Sequence, residues 1–516
     1  MIISIIYMVN CGEKILDKTL IESIRSFPTT LNPVYVTDEV GTGIVDKIFS
    51  GLFCFDEKGN PIPDLVKSYS FSEQGKEILI TLRTNVYWHD GHPFSAKDVI
   101  FTFRLLRNPE IAYPYLPDLE PIKEIKKLNS NQMKIIYHHP FAPALIYLTF
   151  KILPAHLLKN YLENGQKFKE SSFSFSPIGT GPYRFIKLIP DQKIILESFS
   201  EYFLGESSIK KYIAQLNVDA LTNPLKLIKG EVDLAEIEPE LVASLTNNKK
   251  FNQKIKIFPY QKNSFTYLAF NLDLPFFKSR AIRQALALGL NRESIRKNIL
   301  RDWGEICSSP IILSKWKNQK IKHYPYQPNL AKKLLKEEGW QDSDQDGILE
   351  KDGRKFSFTI LTNSESLLRR HIALASKQDW ENLGLKVEVE FTEYGIFLQR
   401  LKKKNFETAI SGFLLDLDPN QLDLWHSEGF LNYSGYHNKQ VDQLLAEGQN
   451  VLDLNKRREI YNKFQEIIAF DLPVIFLFSP HYLMGANRRI KLSRYPKIIG
   501  SVNSFSSFIR HWEIEN

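Results

Sequence analysis

Three cysteines in 516 residues are too few for a disulfide framework, and no Cys-x-x-Cys or Cys/His spacing of a zinc site occurs. Cys54 sits in the apolar run GLFCF and reads as a buried free thiol. No stretch reaches the roughly 18 apolar residues that a membrane-spanning helix needs. There is no G-x-S-x-G elbow, no P-loop and no H-E-x-x-H, so nothing argues positively for catalysis. GTGPY (179–183) falls short of a dinucleotide fingerprint, because it lies between strands with no helix after it. Charge of one sign is also scarce: 67 basic against 59 acidic residues leave only +8. Basic runs such as Lys402-Lys403-Lys404 are short and read as solvated helix faces, which speaks against a nucleic-acid partner.

The chain does have an ordinary globular balance, 43% apolar and 24% charged, which excludes a disordered or collagen-like chain. Aromatics are plentiful, enough to fill large cores and still line a cleft. Met1–Val9 is an apolar start followed by Asn10, Cys11 and Gly12. It fits the core of an export signal, and residues 1–12 are expected to be a signal or lipoprotein-like N-terminus. Cys11 is the lipidation candidate, resembling the cysteine that anchors bacterial lipoproteins to a membrane surface.

Two kinds of α/β pattern follow. Residues 69–83 and 177–202 read as strand pairs, and 132–138 as a further strand. Ser95 with Asp98 forms a capping box ahead of a helix, and a second helix should begin near Pro143. From 356 to 413 strand and helix alternate, the signature of parallel pairing through crossover helices. Asn291 should cap the second of two helices in SRAIRQALALGLNRESIRKNIL, and Gly339 should end the helix in AKKLLKEEGW.

Two clusters have metal-like spacing. In DSDQDGILEKDGR (342–354), Asp342, Asp344, Asp346 and Gly347 copy the first positions of a calcium loop, but position 12 is Gly353 rather than a glutamate. A weak calcium site and a plain surface turn are both compatible with that run; otherwise no cofactor is expected. His89, Asp90 and His92 in WHDGHP suit turn chemistry better than a metal.

The order of segments resembles one family. TLNPVYVTDEVGTGIVDKIFSGLFCFDEKGNPIPDLVKSY, ITLRTNVYWHDGHPFSAKDVIFTF, SPIGTGPYRFIKL, GEVDLA, FNLDLPFFKSRAIRQALALGLNRESI, AKKLLKEEGW and SGFLLDLDP follow one another. This series is similar to the peptide- and nickel-type solute-binding proteins of bacterial ABC importers, and covers the chain from about Thr30 onward. The resemblance implies a two-lobed α/β fold of the periplasmic-binding-protein type, with the ligand between lobes joined by two hinge strands. Lobe I would comprise 13–42, 166–262 and 480–516, with an extra domain inserted over 43–165. Lobe II would be 263–479, with hinges near Pro259–Phe265 and Phe478–Tyr482.

The resemblance further implies a monomeric receptor in the periplasm or on the outer face of the cytoplasmic membrane, working with permease and ATPase subunits. Asp416 matches the family aspartate that receives a peptide's α-ammonium group. Thr37, Asp38 and Glu39 occupy the segment that touches ligand backbone, while Tyr113 and Tyr433 are candidate aromatic walls. The same fold could hold a nickel chelate, haem, an opine or an oligosaccharide instead; a secreted hydrolase is a third reading.

Overall fold

The structure, a computed structural model, describes residues 18–72 and 74–515, so Cys11 and the apolar start lie outside the described residues. The strand–helix alternation of 356–413 is present. Ser357–Asn363 lies between Lys386–Thr392 and Thr408–Leu414 and runs parallel to both. Helices Leu367–Glu381 and Tyr394–Lys402 make the crossovers. Ser264–Phe270 adds to this sheet antiparallel and is buried along nearly its whole length, as a strand covered on both faces should be.

A second set of strands is built from distant parts of the chain. Thr19–Ile24 runs parallel to both Lys211–Leu216 and Leu234–Glu236. The hairpin Tyr183–Ile189/Lys193–Ser198 extends its edge. One strand of 14 residues, Val474–Asn487, joins the two sets. Its first part pairs with Ser264–Phe270, and its second with Ile255–Lys262.

The apolar cores follow this division. Leu20, Ile44, Trp88, Leu196 and Trp512 share one core, drawn from both ends of the chain. Leu268, Trp380 and Ile475, and then Phe265, Phe397 and Phe464, build the cores of the other half. The result is a two-lobed α/β fold with a mixed sheet running through it.

A separate antiparallel sheet is ordered Val66–Phe71, Glu77–Leu82, Gln132–Tyr137, Ile122–Lys127. Helix Ala96–Leu106 starts beside it at the anticipated capping box: Ser95 Oγ accepts from the Lys97 amide, and Asp98 Oδ2 accepts from the Ser95 amide at 2.9 Å. Asn291 caps Arg292–Asn298 as expected, and Gly339 follows helix Pro328–Glu337 at φ +90. The helix near Pro143 is a single turn, Ala144–Tyr147. Thr149 Oγ1 donates to the Ile146 carbonyl at 2.7 Å, where a hydroxyl competes with helix continuation. Among the described residues no helix is long and apolar enough to cross a membrane.

Candidate ligand-binding site

The strand Thr408–Leu414 runs out into Leu415–Asp418, directly beside the crossing point between the lobes. Backbone bonds fix this segment on two sides. The Leu415 amide donates to the Asn263 carbonyl at 2.8 Å, and the Ser501 amide donates to the Leu415 carbonyl at 3.2 Å. Asn263 Nδ2 donates to the Asp416 carbonyl. The packing is close enough that a Cβ on Gly500 would lie 3.0 Å from Leu417 Cγ.

The two aspartates of this segment differ sharply. Asp418 is buried and takes a bidentate pair from Arg457, at 2.7 and 2.8 Å. Asp416 has no ion pair among the described residues. Its Oδ1 accepts a hydrogen bond from Ser501 Oγ. Burial pushes the Asp416 carboxyl above the ordinary carboxylate range, the Ser501 hydroxyl opposes that push, and the charge of Asp418 adds to it.

Asp416 faces a cavity of about 90 Å³ whose walls include Tyr113, Tyr115, Tyr147, Ser501 and a second carboxylate, Asp118. Burial, followed by the charges of Asp416 and Asp423, pushes the Asp118 carboxyl up to about 8. The Tyr147 hydroxyl is held by Asn420 Nδ2 at 3.3 Å. Burial also raises the Tyr113 and Tyr147 phenols, and nearby carboxylates add to the effect. The lining holds no imidazole and no thiol.

The structure therefore brings Asp416 and Tyr113 together, while the other candidates stand elsewhere. Thr37 is exposed. Asp38 caps helix Glu39–Ile48 through the Gly41 amide at 2.7 Å, and its charge reaches Tyr115. Glu39 grips Lys262 Nζ at 2.5 and 2.7 Å. That lysine is 7% exposed, lies 4.0 Å above the Tyr482 ring and is also within 3.8 Å of Glu236. Burial works against its charge, but Glu236 and Glu39 outweigh burial and raise its pKa. Tyr433 is 7% exposed and stacks on Phe413, which stacks in turn on Tyr267, so it packs in the core beside the sheet.

Sequence reasoning missed Asp118, Tyr115, Tyr147 and Ser501. They come from three separate stretches of chain, and no spacing announces them. It also missed Arg369, at the start of helix Leu367–Glu381. The Arg369 guanidinium donates to Asn363 Oδ1 at 3.0 Å and has no ion pair among the described residues. Burial lowers its pKa, with the Tyr267, Tyr394 and Tyr482 hydroxyls opposing. Its facing groups place it at the crossing strand, on the lobe II side.

The two metal-like clusters also differ from their sequence patterns. Asp342 and Asp344 are joined by Glu350, not Asp346, in the one group of three carboxylates close enough to share an ion among the described residues. Asp346 is drawn off by Lys355, which comes round on the Glu350–Lys355 hairpin. In WHDGHP, His89 Nε2 bonds the Gly181 carbonyl at 3.0 Å, and burial lowers its pKa to about 4. Asp90 pairs with the His156 imidazole at 2.7 Å and accepts the His92 backbone amide at 3.1 Å.

Comparison with known proteins gives consistent likenesses. The family model for bacterial extracellular solute-binding proteins, family 5, matches residues 60–431. The oligopeptide-binding protein AppA of Bacillus subtilis is 28% identical over 481 residues, covering 91% of this chain and 87% of that protein. Its structure with a nonapeptide superposes at a TM-score of 0.80, over 96% of this chain and 99% of that one. The dipeptide-binding protein of Escherichia coli is 27% identical over 462 residues, covering 83% of each chain. NikZ of Campylobacter jejuni, solved with Ni(L-His), is 29% identical with a TM-score of 0.82, covering 96% of this chain and 99% of that one.

Proposed function

Since the chain belongs to family 5 of the bacterial extracellular solute-binding proteins, we propose that it is the receptor of an ABC importer that captures peptides between its lobes and hands them to permease and ATPase subunits. The observation that carries this reading is Asp416. It is a carboxylate beside the crossing strands, without a cationic partner, in a cavity walled by tyrosines. An α-ammonium group placed there would be neutralised on removal from water. Arg369 offers the opposite charge to a ligand carboxylate. The names of AppA and of the dipeptide-binding protein support a peptide ligand. A nickel chelate has the likeness to NikZ in its favour, but the cavity wall offers it no imidazole.

The lobe boundaries proposed are 13–42, 166–262 and 480–516 for lobe I, 43–165 for the inserted domain and 263–479 for lobe II. The split of the apolar cores supports the division between lobe I and lobe II, while one core runs on from lobe I into the inserted segment. Two lobes joined by a few strands can close on a ligand by small changes in backbone angle. Anchoring through Cys11 and work outside the cytoplasm complete the reading, without chemistry on the ligand.

A thermal-shift screen of peptide pools tests it. A ligand at a hundredfold excess over its dissociation constant stabilises by about 2.7 kcal/mol. A peptide hit should lose affinity on N-acetylation, and Asp416→Asn should then add little more, because both changes remove the same contact. No shift with any peptide, alongside a clear shift with Ni(L-His), would overturn the peptide assignment.

A further inference from the structure

One ammonium group would neutralise one carboxylate, yet of the three that line the cavity, Asp46, Asp118 and Asp416, two have no ion pair among the described residues. These two are Asp118 and Asp416. The cation in the wall is Lys151, and it is already held by Asp46 at 2.6 Å. Asp118 makes no side-chain hydrogen bond to the described protein either. The Tyr113 hydroxyl also lines the cavity without a protein partner. With Tyr115 and Tyr147 it presents phenol rings, whose faces attract cations. We take the cavity as the place for the first residue of a ligand whose remainder lies elsewhere in the cleft.

We propose that the cavity selects peptides whose first residue is lysine or arginine, with the α-ammonium group on Asp416 and the side-chain cation on Asp118. The inference rests on the peptide-receptor reading and narrows it to a substrate class. A neutral first side chain would leave Asp118 to bury its charge alone or to keep a proton. A basic one displaces that proton and pairs with the carboxylate.

The protonation follows from what faces Asp118. Asp416 and Asp423 approach from the far segment and Tyr113 and Tyr115 from its own loop, while Tyr147 and the Asp46/Lys151 pair complete the cavity. With the empty-site carboxyl near 8, a basic side chain must expel a proton on binding at lower pH. Its advantage therefore grows as pH rises, by up to about tenfold per unit between pH 6 and 8, and levels off above.

The test is titration calorimetry of the full chain with Lys-Ala-Ala and its uncharged counterpart norleucine-Ala-Ala. Both carry the same α-ammonium group, so their affinity ratio isolates the side chain. Wild type should prefer Lys-Ala-Ala by at least about tenfold at pH 8, by less at pH 6, and should release a proton on binding it at pH 6.5. Asp118→Asn should abolish the preference and bring the affinities of the two peptides together. Asp416→Asn should weaken both. Equal affinities for the two peptides in wild type, or a preference that survives Asp118→Asn, overturns the inference while the receptor reading stands. Failure of every peptide, with or without a basic first residue, overturns both. A cooperative urea unfolding transition of Asp118→Asn shows that the variant is folded.

Discussion

Two acidic regions flank the crossing between the lobes, and the protein treats them in opposite ways. Around Lys262, Glu39 and Glu236 converge on one buried ammonium, Tyr260 donates to Glu236 at 2.6 Å, and Arg25 closes the far side at 2.9 Å. Every charge there has a partner from the same chain. Around Asp416, the carboxylates Asp416 and Asp118 face a cavity and have no ion pair among the described residues. The first region holds strands together. The second carries an electrostatic cost that its carboxyls relieve by holding protons to higher pH. Even within four residues the contrast repeats: Asp418 is neutralised by Arg457, and Asp416 has only Ser501.

This contrast can be broken most severely at Arg457. Arg457→Ala leaves Asp418 buried without its partner and should cost about 3–5 kcal/mol in urea unfolding. A smaller effect of opposite kind belongs to Asp416. Asp416→Asn should weaken a free peptide by about a hundredfold, near 2.7 kcal/mol by calorimetry, and leave the unliganded unfolding midpoint unchanged or raised. If it unfolds as readily as the Arg457 variant, the two aspartates do the same job and the comparison fails. Lys262→Met should cost about 2 kcal/mol, less than Arg457→Ala because Glu39 is 45% exposed and can turn to solvent.

A subtler effect lies in pH. The Asp118 carboxyl is raised when folded, so the folded chain holds a proton that the unfolded chain releases near pH 4. That stabilising contribution is complete below pH 4 and lost as pH rises through about 8. Without ligand, Asp118→Asn should be more stable than wild type at pH 9, and the gap should close toward pH 5. The smallest effect concerns the 342–350 loop. Calcium at millimolar concentration should raise the melting midpoint by less than the equivalent of about 1 kcal/mol, because its carboxylates are largely solvent-exposed and Asp346 is taken by Lys355. A large rise would make the loop a proper calcium site.

What could be read from the sequence was local. Strand and helix alternation in 356–413, the Ser95/Asp98 box and the Asn291 cap depend on neighbours a few positions apart, and all are present. The run SGFLLDLDP singled out Asp416, which lines the cavity beside the crossing. Asp118 was not singled out, because its meaning comes from a carboxylate some 300 positions away. Tyr433 looked like a wall and is a core ring, because Phe413 offers it a face to stack on. Glu350 was missed since spacing put Asp346 in the set, and only the short hairpin brings Lys355 round to claim it.

The strand Val474–Asn487 has a consequence for how the molecule comes into being. It lies near the end of the chain, yet it contributes the central seam of the sheet on both sides of the crossing. Until it arrives, Ser264–Phe270 and Ile255–Lys262 each lack a neighbour and expose open edges. Neither half of the sheet can be completed until this late strand has been made. That makes truncation just before residue 474 a route to aggregation, not to a smaller working protein.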